Sequence, residues 1–246
     1  MEYIPYDMQR PDESNYIVAY FDVLGTKEYI QKGESEKIFE AIYDIYVMTT
    51  KIMSQIKAFN FDSLVFKIFS DNILVAIRTE KEDVPESYKI IIDFLKMFLN
   101  SFLNVGIFFR GGITFSKLAI DDIIVWGKGL TEVVYLEEKI AVYPRIVLSE
   151  SLAKLLADTV MDTEELEEKY NILEDVDGCC YLDYVIYKEP HSEKTIKNSY
   201  NYTVEKLKTE TNPSIRQKYK WHLNYLEHAK EKFNCKWAET SFEVKW

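Results

Sequence analysis

Asp22 closes an otherwise apolar, β-prone run, Tyr16–Phe21 (YIVAYF), and Asp71 sits at the polar tip Ser70-Asp71-Asn72 between two further apolar runs within Leu64–Ile77. A carboxylate in such a place is costly unless it is paired or metal-bound. Two convergent aspartates suit Mg²⁺ or Mn²⁺, which favour hard oxygen ligands and leave positions open for phosphate. In a two-ion site one cation activates the attacking oxygen and the other neutralises the leaving group. The alternative at each position is a turn-capping aspartate. After Asp22, Val23-Leu24-Gly25-Thr26-Lys27 reads as a strand-to-helix turn. The N–H groups of a helix opening at Gly25, Thr26 and Lys27 can bind phosphate, and an ordinary N-cap explains the same residues. Lys67 lies four residues before Asp71 and faces the same way if both are on a strand. It then needs a partner, either the aspartates or a ligand. Arg110 interrupts an apolar strand ahead of Gly111-Gly112. That glycine pair reads as a bulge, with close approach of a substrate to the backbone as the alternative.

These residues depend on the elements that carry them. From about Glu34 to Lys57, Ile38, Phe39, Ile42, Ile45, Tyr46 and Ile52 recur at helical steps. Leu64–Ile77 reads as a hairpin. Tyr88–Leu103 is a second amphipathic helix, with Ile91, Ile92, Leu95, Phe98, Leu99 and Phe102 inward, and Val105–Leu118 is a strand. The order β-α-β-β-α-β predicts an α+β fold with a ferredoxin-like core. The right-handed crossover rule makes the first two strands parallel, with the third threaded antiparallel between them. Asp22 and Asp71, 49 residues apart in sequence, then lie at one sheet edge. Beyond the core the pattern gives a short strand and helix over Ile123–Lys139, a strand at Pro144–Ser149, a helix at Glu150–Ala157 and a strand pair around Cys179–Tyr187.

The 246 residues carry a net charge of −11, unevenly spread: 188–236 hold 11 Lys/Arg against 6 Asp/Glu, while 1–187 hold 18 against 33. The acidic balance excludes a nucleic-acid binder that works through a broad basic surface. The expectation is a body over 1–187 and a basic helical extension over 188–246, docked on that body or on a second subunit. Cys179, Cys180 and Cys235 form neither a disulfide framework nor a zinc spacing. The first residues lack a signal-peptide pattern, and no apolar stretch approaches the ~20 residues that span a bilayer. A soluble cytoplasmic protein is expected. His191, His222 and His228 read as surface residues, and the acidic run Asp158–Asp177 as a solvated loop and helix face.

Taken together, the motifs resemble the class III nucleotide cyclase catalytic domain over roughly residues 14–187. The resemblance is carried by Phe21-Asp22-Val23-Leu24-Gly25 and Lys67-Ile68-Phe69-Ser70-Asp71. Arg110-Gly111-Gly112-Ile113, Val125-Trp126-Gly127 and Pro144-Arg145-Ile146-Val147-Leu148-Ser149 follow in family order. It implies a head-to-tail homodimer with sites at the interface. It also implies two Mn²⁺ or Mg²⁺ ions on Asp22 and Asp71, with the Val23 carbonyl assisting. The 3′-hydroxyl of a nucleoside triphosphate attacks the α-phosphorus and pyrophosphate leaves. Lys67 matches the base-reading lysine of adenylate cyclases. Their base-reading aspartate falls at Ile124, their transition-state asparagine at Thr131 and their phosphate-binding arginine at Tyr135. Their late phosphate-binding lysine is absent from Asp177-Gly178-Cys179-Cys180, which makes Arg110 the candidate replacement.

The Arg-Gly-Gly-Ile and Tyr-Pro-Arg-Ile strands, with Lys218-Tyr219-Lys220-Trp221 in the tail, are most similar to the bacterial pyrimidine cyclases of antiphage signalling (Pycsar). That implies cyclic UMP or cyclic CMP as product, read by a separate effector. Lys67, Ile124 and Thr131 would line the base or ribose, and no membrane or nucleic-acid partner is expected. The alternatives are a purine cyclase, a palm-type cyclic-oligonucleotide synthase, or a catalytically degenerate dimeric nucleotide-sensing module.

Overall fold

The computed structural model describes residues 11–31, 33–55, 64–186 and 192–236. The chain begins with β1 (Ser14–Val23), α1 (Thr26–Gln31), α2 (Ser35–Met53), β2 (Leu64–Phe69), β3 (Asn72–Arg78), α3 (Val84–Leu103) and β4 (Phe109–Ile120). It continues through β5 (Val125–Trp126) and α4 (Lys128–Tyr135), which runs into a π-helical turn, Leu136–Ile140. Then come β6 (Ile146–Leu148), α5 (Glu150–Ala157), α6 (Thr163–Tyr170), β7 (Ile172–Glu174), β8 (Cys180–Leu182), α7 (Ser192–Thr209) and α8 (Pro213–Lys232). The sheet order is β2-β3-β1-β4-β6-β8-β7, with β5 paired to β4 off that path. β3 is antiparallel to both β1 and β2, so β1 and β2 run parallel on either side of it. β4 lies antiparallel along the other edge of β1. This is the βαββαβ core that the crossover rule demands, extended by a second half-sheet and two C-terminal helices.

Alternation along β1 builds two different layers. Ile17, Ala19, Phe21 and Val23 join Ile73, Val75 and Ile77 beneath α2 and α3. There Phe21 packs at 5.5 Å edge-on to Phe109, and Phe98 and Phe102 pack around the same ring cluster. Tyr16 and Val18 face the other way, with Leu74, Ala76, Leu118 and Val133 under α4. Asp22 shares that second face, directly opposite Asn72 on β3 and Arg110 on β4.

Gly111-Gly112 is not a bulge. Both glycines sit in an unbroken ladder, opposite Phe21 and Tyr20 on one side and Ile146 and Val147 on the other. The two glycines have different reasons: a Cβ at Gly112 would lie 2.4 Å from the Leu136 Cβ in the layer above, and one at Gly111 2.3 Å from the Tyr20 carbonyl of the neighbouring strand β1. The π-helical turn rests directly on the bare strand. Gly112→Ala should lower stability by about 1–3 kcal/mol, the usual cost of overpacking, measured as a shift of the denaturant midpoint at unchanged slope.

Several expected boundaries and placements differ. β4 starts at Phe109 because Gly106 adopts φ 68° and turns the chain after α3. On α2, Ile38 and Ile42 are buried, but Phe39 and Ile52 face outward. His222 is fully buried rather than at the surface, 4.0 Å from the Phe108 ring, and burial depresses its pKa to about 3. His228 is exposed, and His191 lies outside the described residues. The acidic run contains α6 and β7, and two of its members, Asp175 and Asp177, hold the fully buried Arg145. The basic extension packs on its own acidic body. Ile196, Tyr200, Val204, Leu207, Leu223 and Leu226 enter the main core, and Lys232 lies 2.7 Å from both Glu167 and Asp183. The three cysteines are free. Among the described residues no helix is long and apolar enough to cross a membrane.

Candidate active site

The β2–β3 turn brings Asp71 to the end of β1. Ser70 takes a left-handed conformation, φ 61°, to make that turn tight. The Val23 N–H then donates to the Asp71 carbonyl at 3.2 Å, fastening the hairpin tip to the strand that carries Asp22. The Asp22 carboxyl is pushed up from the ordinary 3.8 to about 7, first by burial and then by the charges of Asp71 and Glu137, with Arg110 opposing. Arg110 Nη2 lies 3.6 Å from Asp22 Oδ2 and 2.6 Å from Glu137 Oε1. The Glu137 contact is an ion pair without hydrogen-bond alignment. The Arg110 Nε and Glu137 Oε1 atoms are buried and lack hydrogen-bond partners among the described residues. Beside them Tyr20 donates its hydroxyl to Asn72 Oδ1 at 2.7 Å, and burial with the neighbouring carboxylates raises its pKa to about 12. The site is therefore an over-acidic, partly desolvated pocket that one arginine does not neutralise.

That donor set fits a divalent cation. Among the described residues no group of three or more His, Cys, Asp or Glu side chains is arranged to hold a metal; the oxygen donors that a cation would find here are Asp22, Asp71 and the Val23 carbonyl. That carbonyl accepts the Thr26 hydroxyl at 3.0 Å, which leaves its second lone pair. Two carboxylates with water and phosphate filling the remaining positions is how Mg²⁺ is commonly held. An Asp22 that keeps its proton to about pH 7 is the counterpart: a cation must displace that proton.

The other sequence candidates fall around this centre. Gly25 turns the chain at φ 87°, and Thr26 opens α1 and lines a cavity of about 370 Å³ with Ser70, Asp71 and the α2 residues Ile38, Phe39 and Ile42. Lys27 is on α1, but its side chain lies outside the described residues. Lys67 does not turn to Asp71. Its ammonium reaches the Asp122 carbonyl at 3.3 Å and the Asp122 carboxylate at 3.8 Å. Asp71 belongs to the turn, not to β2, so the four-residue spacing no longer sets a common face. Ile124 is in the same loop as Asp122, held in place by Asp121 Oδ1, which accepts from the Ile123 and Ile124 N–H groups at 2.7 Å each. Thr131 is exposed on α4, its hydroxyl directed back to the Gly127 carbonyl at 3.4 Å. The protomer thus separates a carboxylate–arginine centre (Asp22, Asp71, Arg110, Glu137) from a lysine–loop group (Lys67, Asp122, Ile124).

Sequence reasoning missed Glu137 and Lys218. Glu137 was detectable: it follows Val133 by four residues on an amphipathic helix, so it falls on the face turned to the sheet. Lys218 of α8 had no such signal. Its nearness to the site follows from tertiary docking, and its pKa is lowered by burial and by Arg110 against the pull of Asp22 and Glu137.

No protein-family model matches the chain, and no curated protein matches it. Among solved structures it is similar to a bacterial light-regulated adenylyl cyclase, at 10% identity and a TM-score of 0.47, over 79% of this chain and 59% of that one. The chain therefore spans less than two thirds of the length of that structure.

Proposed function

We propose that the protein is a metal-dependent nucleotidyl cyclase that converts a pyrimidine nucleoside triphosphate, UTP or CTP, to its 3′,5′-cyclic monophosphate and pyrophosphate. The observation that carries this reading is the placement of Asp22 and Asp71 together at one sheet edge; burial, and then the charges of Asp71 and Glu137, push the Asp22 carboxyl up to about 7. Asp22, Asp71 and the Val23 carbonyl would hold Mg²⁺ or Mn²⁺. When bound, the cations neutralise phosphate charge and activate the 3′-hydroxyl. The new bond joins the 3′-oxygen to the α-phosphorus as the α–β bridging bond breaks.

Arg110 places positive charge beside Asp22. Gly25, Thr26 and Lys27 lie at the turn where phosphate would enter. Lys67, Ile124 and Thr131 belong to the base and ribose region. An apolar Ile124 in place of a carboxylate disfavours adenine pairing, which supports a pyrimidine. In a head-to-tail homodimer the lysine–loop group of one protomer would complete the carboxylate centre of its partner. The exposed Ile123, Ile124 and Trp126 offer apolar surface for such a contact. The resemblance to antiphage cyclases supports a cytoplasmic second messenger read by a separate effector.

The test is incubation of the full chain with each NTP and Mg²⁺ or Mn²⁺, with products identified by mass. Cyclic UMP or cyclic CMP with stoichiometric pyrophosphate supports the reading, and no turnover under any condition refutes it. Asp71→Ala should abolish turnover while leaving the solution mass and circular dichroism unchanged. The engagement of Arg110 by Asp22 and Glu137 favours a second reading, a non-catalytic nucleotide-sensing module. That module would bind NTP and leave it intact.

A further inference from the structure

A cavity of about 440 Å³ opens on the far side of the Leu24–Gly25 turn from Thr26 and Asp71. Its wall on the body is Leu24, Gly25, Tyr29 and the Gly106–Phe108 turn, and its opposite wall is the C-terminal extension, with Tyr202, Lys206, Lys218 and Tyr219. Gly106 is glycine because Tyr202 is seated on it: an added Cβ would meet the ring at 2.7 Å. Tyr202 and Tyr219 both pack edge-on to Phe108, at 6.0 and 6.2 Å, which fixes α7 and α8 against the body. The cavity thus lies between elements that pack directly on one another.

Its charges are unbalanced. Lys218 is half-buried, and among the described residues it makes no hydrogen bond or ion pair. Lys206 lies over the Tyr202 ring at 5.3 Å. Among the described residues the one carboxylate in the lining, Glu34, is engaged by Lys37 at 3.0 Å. A half-buried ammonium without a directly bonded partner is unfavourable; burial and Arg110 disfavour its charge, while Asp22 and Glu137 attract it from a distance. Two cations converge on a pocket that adjoins the carboxylate centre through the Gly25 turn, where an oligophosphate chain would run if its α-phosphate lay beside Asp22.

We propose that Lys218 and Lys206 of the C-terminal extension form an oligophosphate-binding site, which receives the β- and γ-phosphates of the substrate in the same protomer that supplies Asp22 and Asp71. The placement rests on the cyclase reading for the identity of the substrate. It makes α7 and α8 part of the binding machinery rather than only a packed appendage.

The experiment uses the full chain, with Lys218→Gln, Lys218→Arg and Lys206→Gln. Calorimetry with tripolyphosphate and with pyrophosphate, with and without Mg²⁺, reads the site without turnover. Steady-state kinetics with the preferred NTP reads it in use. Lys218→Gln should weaken tripolyphosphate binding at least ~10-fold, as expected for loss of a hydrogen bond to a charged group, and Lys218→Arg should restore most of it. An unchanged circular dichroism spectrum and a melting temperature within a few degrees of wild type separate loss of the site from loss of the fold.

A matching rise in KM for the NTP assigns the site to the substrate's own phosphates. Weaker pyrophosphate inhibition with KM unchanged would assign it to the product, and would overturn the substrate placement. Unchanged tripolyphosphate affinity in Lys218→Gln overturns the site itself, even if the wild type cyclises NTP. Lysine-dependent tripolyphosphate binding by a wild type that cyclises nothing would leave the anion site standing and remove the cyclase reading.

Discussion

Asp22→Asn should make the metal-free protein more stable at pH 8 and at the same time inactive. In EDTA the wild-type Asp22 holds its proton to about pH 7, whereas the unfolded chain releases it near 3.8. Between those values the folded state binds more protons than the unfolded state, so stability falls as pH rises, and the full penalty is present above pH 7. A shift of that size corresponds to roughly 4 kcal/mol at most. Partial solvent access to Asp22 reduces this to about 2–3 kcal/mol. The isostere keeps the shape and removes the charge. Wild type and Asp22→Asn should therefore have similar denaturant midpoints at pH 4 and diverge progressively to pH 8. Mg²⁺ should stabilise the wild type at pH 8, because binding replaces the proton, and leave the variant unmoved. Turnover should drop at least ~10³-fold, since several kcal/mol of charge stabilisation depend on that ligand. A variant less stable than wild type at pH 8 in EDTA would show that Asp22 is held charged by Arg110, contrary to the balance of burial and like charge around it.

Arg145→Met should be the most destabilising single change outside the hydrophobic core, at about 3–5 kcal/mol. Arg145 is 1% exposed and pairs with Asp175 and with Asp177, the latter at 2.5 Å. It also donates to the Ile140 carbonyl at 3.3 Å, at the end of the π-helical turn. Asp175 accepts the Trp221 Nε1–H at 2.6 Å, and Trp221 stacks on Tyr143, over which the guanidinium also lies. This arginine therefore joins the β7–β8 turn, the π-helical turn and α8. Removing it leaves Asp175 half-paired in a desolvated corner, and urea titration should show the loss. The double variant Arg145→Met with Asp175→Asn should recover part of it, because the orphaned charge is gone. Full stability in the single variant would mean that water or a neighbouring cation replaces the guanidinium.

What the sequence made legible was governed by short-range periodicity. The apolar runs flanking Asp22 and Ser70-Asp71-Asn72, with two amphipathic helices between strands, were enough to place the two aspartates at one edge. Placement of Lys67 failed because Asp71 falls two residues past the end of its strand, in the turn, where alternation no longer applies. The bulge at Gly111-Gly112 failed because the reasons for glycine lay in Leu136 overhead and in the neighbouring strand β1, rather than in their own strand. Lys218 and the burial of His222 were out of reach for the same cause. Both depend on how α8 docks, which no local spacing encodes.

Alternation along β1 also makes the site intolerant of changes in length. Tyr20 and Asp22 point to the layer under α4, while Phe21 and Val23 point to the ring cluster under α3. Deleting or inserting one residue between Tyr16 and Phe21 would exchange the two sets. The carboxylate would then meet Phe98 and Phe109, and an aromatic ring would meet Arg110 and Glu137. Substitutions at single positions in this strand can drift, but its residue count cannot.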